Sequence, residues 1–343
     1  MFIRSLLSLA LVAVSSAAYA QTSELNLYSA RHYQTDELLY KAFTDKTGIK
    51  INRIEMNDAA LVERLKSEGA GSPADVILMV DAARLWRAQA DGLFQPVKSN
   101  VLATRIPKNL QGGEPGQDPQ WFGFSTRARV IVYNKADVKP ADVDTYEKLA
   151  DPKNKGKVCT RSGSHPYNLS LIGSLIERDG EAATEKWAKA MVANMARSPQ
   201  GGDSDQIKAV ASGECGVALT NNYYFVRMQR SDKPEDKAVI EKVGFLWPNQ
   251  QGQGVHLNVA GGAVARNAPH KDNAVKFLEY LASDEAQNYF AAGNNEWPAV
   301  ASLKTDNPAL QALGSFKAET VPIAAIGRNQ VAAQKILDRA GYK

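Results

Sequence analysis

The sequence predicts a two-domain α/β protein whose first domain carries a parallel sheet. Three observations predict it. Short strand-like runs alternate with amphipathic helical patterns through residues 24–90, in the order βαβαβ. Asp75–Val80 reads as a continuous apolar strand, the kind buried on both faces of a parallel sheet. Two longer strand-like stretches, Phe122–Asn134 and Gly252–Val264, could each cross from one domain to the other. At 343 residues the chain is long enough for two domains of ordinary size.

The elements follow in order. Glu24–Ser29 alternates as a strand does. Thr35 or Asp36 can cap a helix with Leu38, Leu39, Ala42 and Phe43 on its apolar face, stopped by Gly48. Ile49–Ile51 begins a second strand. Asp58 is expected to cap a helix bearing Leu61, Val62 and Leu65. Asp81–Ala90 is a third helix, ended by Gly92. Residues 107–120 are loop-like, punctuated by Pro107, Gly112-Gly113, Pro115-Gly116 and Pro119. After the first long strand and a short helix at Asp144–Leu149, a second α/β set begins. Lys157–Arg161 is a strand, Ser162–Tyr167 a loop, and Asn168–Arg178 and Glu181–Asn194 are helices. Ser204–Ser212 is a short helix, Val217–Thr220 a strand, and Tyr224 leads into another helix. Gly244–Pro248 reads as an edge strand. Asp272–Leu281, Ser283–Ala291 and Gln330–Ala340 are the closing helices.

Charge and targeting narrow the function. Lys and Arg number 41 against 37 Asp and Glu, and no basic run is present, so no nucleic-acid partner is expected. Arg4, the apolar run Leu6–Val14 and Ala18-Tyr19-Ala20 form a signal peptide, with cleavage expected after Ala20. The run is short for a membrane span. No lipobox cysteine accompanies it. An exported soluble protein follows as the expectation.

Cys159 and Cys215 are then in a compartment where disulfides persist. A bridge would contribute roughly 4 kcal/mol on the chain-entropy model. Two buried free thiols are the alternative reading. Neither C-x-x-C nor a Cys/His spacing suggests a thiolate metal site.

The chemistry points to tyrosine. Tyr33, Tyr167 and the pair Tyr223-Tyr224 each follow a strand-like run, where ligands bind in open α/β sheets. A phenol has a pKa of about 10 in water, and a trivalent cation can displace its proton to gain a hard oxygen donor. Four phenolates suit Fe³⁺ better than a divalent ion. Arg31, Arg127 and Arg129 could offset the surplus negative charge, and helix N-termini would favour anionic ligands. His32 is a candidate fifth ligand. Arg127 and Arg129 sit inside an apolar strand and need partners. Asp203 and Asp205, beside Gly201-Gly202, are either near the cleft or simply at a capped helix start. Ordinary half-buried packing is the competing account of each tyrosine. Tyr28, Tyr40, Tyr133, Tyr146, Tyr280 and Tyr289 read as packing. His165 reads as a loop residue, His256 as structural and His270 as solvated.

The chain resembles the bacterial periplasmic ferric-ion-binding proteins that serve ABC iron importers. Tyr28–Asp36, Arg127–Lys135, Asn222-Tyr223-Tyr224, His256–Gly262 and Asn294–Pro298 carry the resemblance. It implies the type II periplasmic-binding-protein fold: two α/β lobes joined by two crossover hinge strands. The lobes would be 21–126 with 257–302, and 127–256 with 303–343, after a signal peptide at 1–20. It implies Tyr33, Tyr167, Tyr223 and Tyr224 as ligands of a transported Fe³⁺, with His32 ligating or adjacent. A branch of the family uses a glutamate that has no equivalent here. Some members complete the shell with a carbonate-like anion; the tyrosine-rich set with His32 favours the anion-independent kind. A monomer docking on an inner-membrane ABC permease, with no catalysis, is the expected partnership. Two readings compete: a same-fold binder of a polyamine, phosphonate or sugar, and an exported hydrolase built on Ser162, Ser164 and His165.

Overall fold

The computed structural model describes residues 23–31, 36–114, 116–300 and 302–343. The signal segment, His32 and Tyr33 lie outside the described residues. The strands are β1 (Glu24–Ser29), β2 (Lys50–Glu55), β3 (Val76–Val80), β4 (Gln111–Gly112), β5 (Trp121–Asn134), β6 (Val158–Cys159), β7 (Val217–Asn221), β8 (Val243–Leu246), β9 (Leu257–Val264) and β10 (Trp297–Pro298). They form a path in the order β2-β1-β3-β9-β5-β7-β6, with β4, β8 and β10 each paired to β5.

The sheet is mixed, where the sequence led us to expect parallel pairing. β1 runs parallel to β2 and β3, and β6 parallel to β7. β9 is antiparallel to both β3 and β5, and β5 antiparallel to β7. The reason is topological. β5 and β9 do not return through a βαβ crossover, so nothing forces them to run with their neighbours.

β5 is the element that joins the two halves. Trp121–Ala128 pairs with β9, and Arg129–Tyr133 pairs with β7. Thirteen of its fourteen residues are buried, so both faces are covered along its length. β9 passes between β3 and β5 with a glycine where space fails: a Cβ on Gly261 would stand 2.6 Å from the Phe122 carbonyl oxygen. The second crossover stretch is strand only from Leu257 onward; residues 252–253 are turn, and Val255 makes an isolated parallel bridge with Ala318.

Each half has its own core. Leu25, Leu27, Phe43, Ile77, Trp121, Phe122 and Phe277 anchor one. Ile131, Val158, Ile172, Leu175, Val217 and Leu219 anchor the other. Fully burying one such side chain stabilises the fold by about 1.5–3 kcal/mol. A smaller cluster holds Val132, Ile207, Val210, Phe225 and the two cysteines. Cys159 and Cys215 are joined by a disulfide, with Cα atoms 5.9 Å apart, tying the end of β6 to the entry of β7.

Four short helices carry too little periodicity to be read from sequence: Asn100–Arg105, Pro234–Lys242, Pro308–Gln311 and Ile323–Arg328. The last matters for the architecture. Ile323 and Ile326 join the first core, whereas the following helix, Gln330–Ala340, packs into the second. A Cβ on Gly327 would meet Trp86 Cβ at 2.4 Å, and one on Gly173 would meet the Ile326 carbonyl oxygen at 2.9 Å. Helix Ile323–Arg328 is therefore wedged between Ala82–Ala90 on one side and Pro166–Asp179 on the other.

Candidate metal centre

β7 ends at Asn221 and passes directly into the helix Asn222–Gln229, whose first turn carries Tyr223 and Tyr224. Two asparagines pin this junction. The Asn221 backbone N–H donates to Asp203 Oδ2 at 2.7 Å, and Asn222 Oδ1 accepts from the Ala128 N–H at 2.8 Å. Side chains of this kind bond backbone groups that strand and helix leave unpaired. The pinned backbone sets the two rings 4.4 Å apart between centroids, with Tyr223 buried and Tyr224 half-buried.

Tyr167 arrives from the helix Pro166–Asp179. Pro166 takes the first helical position, where a missing N–H costs nothing. His165 caps the helix: its Nδ1 accepts from the Tyr167 N–H at 3.2 Å, and its ring meets the Tyr167 ring edge-on. The helix thus begins two residues earlier than its apolar pattern shows, and Tyr167 belongs to its first turn. Its hydroxyl lies 2.9 Å from that of Tyr223.

Tyr167, Tyr223 and Tyr224 line one cavity of about 500 Å³. Arg31, Asp58, Val80 and Arg84 close it from the β1–β3 side, so it lies between the two halves of the molecule. Among the described residues, no group of three or more His, Cys, Asp or Glu could hold a metal ion. Among the described lining residues, the side-chain oxygen donors are the three phenols and the Asp58 carboxylate. Burial pushes the Asp58 carboxyl up, and Arg84 at 3.4 Å opposes it.

Positive charge surrounds the phenols. The Arg161 guanidinium sits 5.0 Å from the Tyr167 ring centroid, Arg129 6.0 Å from it, and Arg227 4.9 Å from the Tyr224 ring centroid. Such placement attracts the ring face. Arg129 and Arg161 share one carboxylate, Asp203, at 2.7 and 3.3 Å. Asp203 is fully buried. Two cations on one anion leave a positive surplus beside Tyr167. Burial, with Arg161, Arg129 and Arg84 nearby, drives the His165 imidazole down to about 3. With Nδ1 accepting from the Tyr167 N–H, the neutral ring carries its proton on Nε2.

The other arginines named from the sequence find partners as expected of cations in apolar surroundings. Arg127 pairs with Glu296 at 3.0 Å, both about 1% exposed. Arg31 pairs with Asp36 at 2.9 Å and Glu296 at 3.5 Å. Arg31 lines the cavity, whereas Arg127 and Arg129 stand behind it. Arg84, Arg227, Asp58 and Glu296 were missed by sequence reasoning. Glu296 had a signal, since it falls within the Asn294–Pro298 turn. Asp58 was expected as a helix cap, but Asn57 takes that role, its side chain accepting from the Ala60 N–H, and Asp58 is the first helical residue. Arg84 and Arg227 look like solvated helix faces. Asp205 accepts from the Gly202 N–H, a cap. His270 is bonded to Asp75 and mostly shielded, where a solvated residue was expected. The Ser162 and Ser164 hydroxyls bond each other at 3.0 Å, and His165 Nδ1 is spent on backbone, so no serine–histidine nucleophile is assembled.

The family of bacterial extracellular solute-binding proteins matches residues 39–318. Iron uptake protein A1 of Synechocystis sp. is 50% identical over 323 residues, covering 94% of this chain and 88% of the relative. The major ferric iron-binding protein of Neisseria meningitidis is 27% identical over 97% of both chains. Among solved structures, the Trichodesmium protein IdiA (FutA) in complex with iron and citrate ligands superposes with a TM-score of 0.89 at 52% identity. It covers 93% of this chain and 100% of its own. A Bordetella ferric binding protein gives 0.85 at 38% identity, over 93% and 99%.

Proposed function

We propose, from the premise that this chain belongs to the bacterial extracellular solute-binding proteins, that it captures Fe³⁺ with tyrosinate ligands in the periplasm. It then delivers the ion to an inner-membrane ABC permease. The supporting observation is the 2.9 Å contact of the Tyr167 and Tyr223 hydroxyls in a cavity that Tyr224 also lines. Three phenols converge there from two helix N-termini, with the Arg129, Arg161 and Arg227 guanidinium groups beside the Tyr167 and Tyr224 rings. Tyr33 and His32, which adjoin the cavity-lining Arg31 in the sequence, complete the proposed ligand set.

On this reading the cargo joins the lobes. Residues 21–126 with 257–302 supply His32 and Tyr33; residues 127–256 with 303–343 supply Tyr167, Tyr223 and Tyr224. Iron bound to both sets holds the cleft shut, and metal binding releases phenol protons. Charged groups on the lobe rims make the contact with the permease, to which the protein docks as a monomer. The chain itself catalyses nothing. The Asp203 carboxylate, by holding Arg129 and Arg161 together, keeps their charge beside Tyr167.

A second reading has an observation of its own. Arg31, Arg84 and Arg227 line the same cavity, an arrangement that suits an anion. A small anionic solute, or a carbonate-like anion accompanying iron, would use them. Ferric titration of the apoprotein with and without bicarbonate separates these readings. Iron uptake independent of bicarbonate supports the tyrosinate site alone. Uptake only with bicarbonate supports an accompanying anion. No uptake in either case leaves the anionic solute.

A further inference from the structure

Beneath the phenols, a chain of buried polar side chains links the Tyr167 helix to strand β9. Its centre is Ser170, 1% exposed and one turn after Tyr167. The Ser170 hydroxyl donates to the Tyr167 carbonyl at 3.1 Å, accepts from Asn258 Nδ2 at 2.9 Å, and meets His256 Nε2 at 3.0 Å. Three partners fill the capacity of a hydroxyl, which has one proton and two lone pairs. A helical serine commonly bonds back to its own preceding turn. Here the hydroxyl is also gripped by two side chains from another element.

Both grips are themselves fixed. Asn258 Nδ2 also donates to Asp81 Oδ2 at 2.7 Å, and its Oδ1 accepts the Ala82 and Val259 N–H groups at 2.9 and 2.8 Å. His256 Nδ1 bonds Glu319, whose other oxygen accepts from Ser174 at 2.6 Å. His256 and Asn258 are two residues apart, so both point to the same face of the strand and its approach.

We propose that Ser170 is a positioning residue for the Tyr167 phenol. Held by His256 and Asn258, it fixes the first turn of the Tyr167 helix to β9 and so sets where the phenol oxygen stands. The inference rests on reading Tyr167 as an iron ligand. Binding constellations must be held to within about 0.5 Å, and residues behind the ligands commonly supply that constraint.

The test is a double-mutant cycle on ferric-loaded protein: wild type, Ser170→Ala, Tyr167→Phe and the pair. The readouts are the phenolate-to-iron absorption band and the rate of iron loss to a competing chelator. Ser170→Ala is expected to shift the band and speed iron loss about tenfold. In the Tyr167→Phe background it should change neither. Ser170→Cys, nearly isosteric, should move both readouts in the same direction and guards against a folding failure of the alanine variant. Unchanged release in both Ser170 variants overturns the proposal. So does an equal acceleration with Tyr167 already removed, which would mark a general loosening. A wild type that takes up no iron overturns the ligand reading itself, and with it this inference.

Discussion

The hydroxyls of Tyr167 and Tyr223 lie 2.9 Å apart although their residues are 56 positions apart in sequence. At that separation at least one proton sits between the oxygens, because two bare phenolates would repel. A trivalent cation bound by both must displace it. Iron loading is therefore expected to acidify a weakly buffered solution, and Tyr223→Phe to release one proton fewer per iron. Counting protons with a pH indicator during ferric titration checks this. Equal proton release from the two proteins would contradict it.

Asp203 holds two arginines and the Asn221 N–H. Removing it leaves Arg129, 1% exposed, without its carboxylate. Breaking a buried ion pair from one side costs about 3–5 kcal/mol. Asp203→Ala should lower the stability measured by urea unfolding by about that amount. A loss below about 1 kcal/mol would show that the Asn168 and Asn221 side-chain oxygens, which also accept from Arg129, compensate.

The buried pair of His256 and Glu319 predicts a pH dependence. Burial pushes the Glu319 carboxyl up, but His256 and the Ser174 hydroxyl outweigh it and hold the group below its ordinary value of 4.5. A depressed carboxyl stabilises the fold fully above its unfolded value and loses that contribution as pH falls through the folded one. Glu319→Gln should therefore lower the thermal midpoint at pH 7. The gap to wild type should narrow as the pH drops below 4.5. Thermal melts from pH 7 down to pH 3 check the sign.

The disulfide closes a loop with a sequence separation of 56. On the chain-entropy model, opening it costs roughly 4 kcal/mol. Both cysteines are buried in a core cluster. Cys159→Ser with Cys215→Ser should shift the urea midpoint down accordingly, while reductant added to the native protein should act slowly.

The legible parts of this chain are those where one physical demand writes one pattern. β3 is buried on both faces, so it appears as an unbroken apolar run. Tyr223 and Tyr224 were findable because a strand end and a helix start frame them. Strand direction was not findable, since a period of two reads the same both ways; β9 and β5 show this. Arg84 and Arg227 were missed because an arginine on a helix looks solvated until a second element closes over it. His165 was missed because capping depends on backbone geometry that Pro166 only hints at. Glu296 is buried only because Arg31 and Arg127, distant in sequence, converge on it.

The visible spectrum of the ferric-loaded protein tests the central claim most directly. Phenolate ligation predicts a yellow-red protein whose charge-transfer band is lost or strongly weakened in Tyr223→Phe, with the fold intact by circular dichroism. A colourless protein without iron in elemental analysis, or a band indifferent to Tyr223→Phe, would contradict it.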